Sequence, residues 1–180
     1  MGFFEFLRPK KADRSASVTP SCEAGYQVRA ELMDAVRTAI TGILEMNFAL
    51  MGTSIGNAPF GSGITAKRSR GYLLGLAKAI LERFEALRPS DDEFIYTLAT
   101  TYMLAHGQTD GMIGIETMQM HAMGDAPVMD GAALAFQDVQ AVYCGKAWAT
   151  PTGFWLIRQG DEAALQYNLD MLRADESAGG

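Results

Sequence analysis

The most distinctive chemistry in this chain lies between Met112 and Met129, centred on Met118-Gln119-Met120-His121-Ala122-Met123. On a helix, Met118 and His121 stand one turn apart, with Met123 just beyond. Thioether sulfur is a soft ligand and imidazole a borderline one, a pairing that suits Cu(I). Met118, His121 and Met123 would be its ligands. The same run has a second reading, as core or protein interface. Methionine is unbranched and polarisable, so it fills cores and lines adaptable grooves. The repetition expected of a metal-handling segment is missing. Met118, Met120 and Met123 therefore read first as contact residues, and no cofactor is implied.

A second candidate is Gly61-Ser62-Gly63-Ile64-Thr65-Ala66-Lys67-Arg68-Ser69-Arg70. Small residues leading into a helix start can offer backbone amides to an anion. Lys67, Arg68 and Arg70 would add positive charge, although basic residues suit the positive end of a helix poorly. The P-loop pattern is absent, because no glycine immediately precedes Lys67. General-base chemistry is poorly supplied, since His106 and His121 are the chain's two histidines. A pairing of Cys144 with either is conceivable. Cys144 reads more simply as a small buried hydrophobe. Glu116 and His121, five positions apart, share no helical face. No catalytic residue set emerges.

The N-terminus offers Phe3, Phe4, Phe6 and Leu7, followed by Arg8, Lys10 and Lys11. Such a cluster is costly to leave in water. It could fold back on the domain, dock on a partner, or touch a membrane surface. Seven residues bury too little to hold a membrane alone, so membrane contact is the weakest of the three. Position 6 is Phe where a myristoylation motif wants Ser or Thr. Ala12 to Gly25 is rich in Ala and Ser and reads as a linker. Residues 1–25 form a flexible apolar and basic arm.

These residues must be positioned by helices. Leu32, Val36, Ile40, Leu44 and Phe48 recur every four residues and predict a helix from Gln27 to Met51. Gly52 to Thr65 holds four glycines and Pro59, a crossing loop. Leu73, Leu76, Ala77, Ile80, Phe84 and Leu87 stripe a second helix starting near Lys67. Ser90-Asp91-Asp92-Glu93 spells a capping box for a third, Asp91 to Ala105, with Phe94, Ile95, Leu98 and Tyr102 inward. Gly107 closes it. Met112, Ile115, Gln119 and Ala122 share the face of a fourth helix over 110–123; Ile113 and Ile115, then Met118 and Met120, also alternate like a strand, but helices flank the segment and a lone strand has no mate. Asp130 can cap a fifth, whose Ala135, Val139, Val142 and Tyr143 share a face. Gly153-Phe154-Trp155-Leu156-Ile157 is an apolar knot. Asp161 opens a last helix, and Ser177 to Gly180 is a tail.

The pattern predicts an all-α fold, a compact bundle of five to six helices over residues 26–176, with residues 177–180 trailing. The 180 residues are 48% apolar and 20% charged, with a net charge of −6. That composition excludes a wholly disordered chain and a disulfide scaffold. It also argues against nucleic acid as a partner, because that binding needs surplus positive charge. Residues 1–99 carry 12 Lys+Arg against 11 Asp+Glu, a net of +1. Residues 100–180 carry 3 against 10, a net of −7 that would attract basic partners. Cys22 and Cys144 lie far apart, outside any C-x-x-C, which fits a reduced, cytoplasmic setting. The leading expectation is an adaptor or regulator that binds another protein or a second copy of itself as a homodimer. A metal- or small-molecule-binding helical protein using 112–129 is the second. An enzyme whose acids meet only in three dimensions is the third.

Overall fold

A computed structural model describes residues 29–56, 61–107, 111–143, 151–159 and 167. The chain is all-α: α1 spans Ala30–Leu50, α2 Gly63–Arg83, α3 Asp91–His106, α4 Gly111–Ala122, α5 Ala126–Tyr143 and α6 Gly153–Gln159. Among the described residues there is no strand. The arm at 1–25, Pro59 in the crossing loop, Cys22, Cys144, the helix expected from Asp161 and the tail lie outside the described residues.

The bundle is built around α2. Tyr72, Leu73, Leu76, Ala77 and Ile80 are fully buried, and Leu74 and Leu81 nearly so. This helix is apolar on almost every side along its middle because other helices surround it. Its most extensive partner is α5, and the contact is backbone against backbone. A Cβ on Gly75 would stand 2.6 Å from the Ala132 Cα. One on Gly71 would collide with the Val128 carbonyl. From the other side, Gly131 lies so close that a Cβ would strike the Arg68 carbonyl. Glycine at three positions removes the side chains that would hold the helices apart.

The amphipathic stripe of α1 is buried as its spacing predicts: Leu32, Val36, Ile40, Leu44 and Phe48 all face the core. The capping box of α3 forms, with the Glu93 amide donating to Ser90 Oγ (3.2 Å) and the Ser90 amide to Glu93 Oε2 (2.8 Å). Gly107 ends α3 at φ 72, the left-handed conformation glycine adopts without strain. Glu93 does more than cap. It is 1% exposed and takes Arg29 Nε at 2.7 Å and Nη2 at 2.8 Å. The Arg29 amide donates to it as well, so the entry to α1 is pinned to the start of α3.

Several expectations need correction. Helix two begins at Gly63 rather than Lys67. Helix five begins at Ala126, and it is Asp125 Oδ1 that accepts from the Val128 amide at 3.4 Å. Asp130 lies inside that helix, exposed, and reaches Arg68 instead. The apolar knot is the short helix α6. Leu87 and Ile95 are about half exposed, and Val142 and Tyr143 lie open at the far end of α5. Helix two ends at Arg83, so Leu87 falls in a 3-10 turn beyond it rather than on its stripe.

Two outcomes follow. Leu76→Ala should cost about 2–5 kcal/mol, and Gly75→Val about 3 kcal/mol by forcing α2 from α5, both read from urea denaturation. The Arg29 guanidinium first, and the Ser90 and Arg29 amides with it, hold the Glu93 carboxyl at about 2 against burial, which pushes it up. A carboxylate with a depressed folded value stabilises above its ordinary value and loses that contribution as pH falls. Stability should therefore drop between about pH 4.5 and pH 2, and Glu93→Gln should flatten that part of the profile.

Candidate functional site

The Met-rich run forms α4, a helix of 12 residues lying over α2 and α3. Its underside mixes small and polar residues with apolar ones. Thr117 is fully buried, and its hydroxyl donates to the Ile113 carbonyl at 2.7 Å. The Tyr102 hydroxyl lies 3.0 Å from that hydroxyl and 3.2 Å from the Arg70 carbonyl, so one phenol ties α2, α3 and α4 together. Burial pushes the Tyr102 phenol up to about 12. Gly114 leaves room for Leu98, whose Cδ2 would stand 3.4 Å from a Cβ there. Ile113 and Met118 pack partly buried against the core.

The face shared by Met112, Ile115, Gln119 and Ala122 points outward. Met112 is 58% exposed, Ile115 50% and Met123 78%. Gln119 and Ala122 are exposed beside them. Met129, in the first turns of α5, is 47% exposed. Ile115, Gln119, Ala122 and Met123 therefore form a largely apolar helical face that no described helix covers.

Three ion pairs flank this face. Arg70 Nη1 lies 3.3 Å from Glu116, Lys67 Nζ 2.6 Å from Asp125, and Arg68 Nη2 3.3 Å from Asp130. The Lys67 hydrogen bond draws the Asp125 carboxyl below its ordinary range. The three cations expected to gather an anion at the start of α2 are thus each engaged with a carboxylate of α4, α5 or the turn between them. Arg158 of α6, which the residue pattern did not single out, approaches the same loop. Its Nη1 is buried without a hydrogen-bond partner and lies 2.8 Å from where a Cβ on Gly61 would stand.

The suggested copper ligands separate. Met118 turns toward the core and Met123 toward solvent, with Met120 and His121 half-buried between them. Burial first, and the Lys78 ammonium second, lower the His121 pKa. A nearby ammonium also opposes an added cation. Among the described residues, no three His, Cys, Asp or Glu side chains converge as a metal set would require. Phe3, Phe4 and Phe6 lie outside the described residues.

The densest polar cluster is elsewhere, and spacing alone did not reveal it. Asp138 is 6% exposed. Its Oδ2 accepts from the Tyr72 hydroxyl at 2.5 Å and the Gly153 amide at 2.8 Å, and its Oδ1 from the Thr152 amide at 3.0 Å. Asn47 joins through its Nδ2, 3.3 Å from the Tyr72 oxygen, while its Oδ1 accepts from the Trp155 amide at 3.0 Å. Burial raises the Asp138 carboxyl against these hydrogen bonds, and it raises the Tyr72 phenol well above its usual value. The donors from Thr152, Gly153 and Trp155 belong to the start of α6, so the cluster serves as that helix's cap. Phe154 lies between Phe48 (5.6 Å between ring centres) and Tyr72 (5.3 Å), sealing it from solvent. The signal for it was an acid, Asp138, beside Val139 on the apolar face of α5.

Comparison with protein-family models, curated proteins and solved structures finds no match to this chain. The outer face of α4 is accordingly judged on its own geometry. Replacing Met118 and Met120 together with Leu conserves volume and should change stability by less than about 1.5 kcal/mol. Anaerobic Cu(I) titration should show no site in the parent that the double variant lacks; a site lost with the sulfurs would place His121 in a metal centre.

Proposed function

We propose that this protein acts by protein–protein interaction, as an adaptor or regulator, through the outer face of α4. The observation that carries the reading is the stripe of Ile115, Gln119 and Met123, apolar apart from one amide and exposed among the described residues, on and just past the end of a helix anchored from below. An exposed apolar patch of this kind marks an interaction surface more often than an accident of packing. Methionine suits the task because its flexible thioether adapts to the shape it meets. The Tyr102–Thr117 contact and the Arg70–Glu116 ion pair hold the helix in place, so little order has to be gained on binding. The Asp138 cluster is accounted for as a helix cap, so it does not itself argue for an enzyme. No described helix is long and apolar enough to cross a membrane. The widely separated cysteines suit a reduced compartment, and the cytoplasm is the proposed setting.

A photo-crosslinking residue at position 123 should join the protein to a defined polypeptide in the cell that makes it. The same residue at position 46, an exposed methionine of α1, should not. Ile115→Asp should abolish the product while leaving the melting temperature nearly unchanged, because Ile115 is half exposed and outside the buried core. Equal crosslinking at both positions would refute the reading.

A further inference from the structure

We propose that the occupant of the α4 face is a second copy of this chain, paired antiparallel about a two-fold axis passing through Gln119. The inference rests on the reading of that face as a docking surface and names what docks there. A two-fold interface must be self-complementary: if one residue meets a second, the second meets the first. Ile115, Gln119 and Met123 stand four residues apart in succession and are all exposed. With Gln119 on the axis, Ile115 of either copy meets Met123 of the other. Gln119 meets its own counterpart, and a carboxamide both donates and accepts, so the two can bond to each other.

Charge decides between a second copy and a basic partner. The acidic composition of residues 100–180 suggests a basic partner, but the local arrangement does not. Glu116, Asp125 and Asp130 are already paired with Arg70, Lys67 and Arg68. The stripe itself carries no ionised residue. A basic partner would find no free carboxylate among these, whereas a second copy meets an uncharged surface of its own kind. The remaining repulsion comes from two chains of net charge −6, and salt screens it. A dimer through this face should therefore tighten as salt rises, whereas a complex with a basic protein should weaken. The face is one helix wide, about 18 Å long for 12 residues. That lies at the small end of interface sizes, so dissociation in the micromolar range is expected.

The test is sedimentation equilibrium of the full chain from about 5 to about 200 µM, a range suited to a small interface. Wild type should dimerise, and more tightly at higher salt. Gln119→Glu and Gln119→Lys each place like charges on the axis and should weaken the dimer by at least about tenfold. An equimolar mixture of the two should recover it to within about threefold of wild type, because opposite charges then meet. Circular dichroism checks that both variants keep their helices, which the exposure of Gln119 leads us to expect. A wild-type chain that stays monomeric overturns the proposal, as does a dimer indifferent to Gln119 or a mixture no tighter than either variant. A monomer that still crosslinks from position 123 to a different polypeptide would overturn self-pairing while leaving the docking surface standing.

Discussion

Everything in this bundle hangs on the direct approach of two helix backbones. Gly71 and Gly75 on α2 face Val128 and Ala132 on α5, and Gly131 returns the contact. Side chains at these positions would push the axes apart, and the polar links between the helices would break first. Tyr72 reaches Asp138 at 2.5 Å only because the backbones beside it nearly touch. The ion pairs of Lys67 with Asp125 and of Arg68 with Asp130 span the same seam nearer the start of α2. The seam thus fixes a buried hydrogen-bond cluster in its middle and a row of salt links toward one end. These exposed salt links add little stability. Their consequence is placement: they consume the charge beside α4 and leave its outer face neutral.

The fold class was legible because α1 and α3 obey simple rules. The stripe from Leu32 to Phe48 is buried throughout, and the Ser90–Glu93 capping box forms as spelled. The α4 stripe kept a helical period too, although Ile113 and Ile115, then Met118 and Met120, also alternate as a strand would. Its direction was not readable, because periodicity says that residues share a face without saying where the face points. The buried side of α4 is held by Gly114, Thr117 and Met118, with Thr117 matched by a hydrogen-bonding tyrosine on α3. Gly114 and Thr117 weaken the hydropathy signal of that side. The Gly71-x-x-x-Gly75 spacing was visible as well, but its meaning depends on a facing Gly131 some sixty positions along the chain.

The misplaced cap is instructive in the same way. Asp125 and Asp130 are both acids before or within an apolar helical run, and either could accept from a helix start. Asp125 wins, while Pro127 fits the first turn, where its missing amide hydrogen costs nothing. Asp130 then lies one turn further on, where it can meet only Arg68 across the seam. The anion site expected at Lys67, Arg68 and Arg70 was judged from one segment alone. Its three cations are engaged by acids 46 to 62 positions away, which no local reading could supply.

Helix α6 has seven residues, too few to persist alone in water. Its order is borrowed. Asp138 holds its first amides, Asn47 receives the amide of Trp155, and the Trp155 indole donates to the Leu50 carbonyl at 3.1 Å. These bonds join residues up to 108 positions apart, so they close after the helices they bridge have docked. The same dependence runs backwards when the native state fluctuates. α6 is the element whose amides should exchange with solvent through a local opening, while those of α2 wait for the whole molecule to unfold. Its release would uncover Phe154 and Trp155 and leave the Asp138 carboxylate facing water, a partly open form that retains helices α1 to α5.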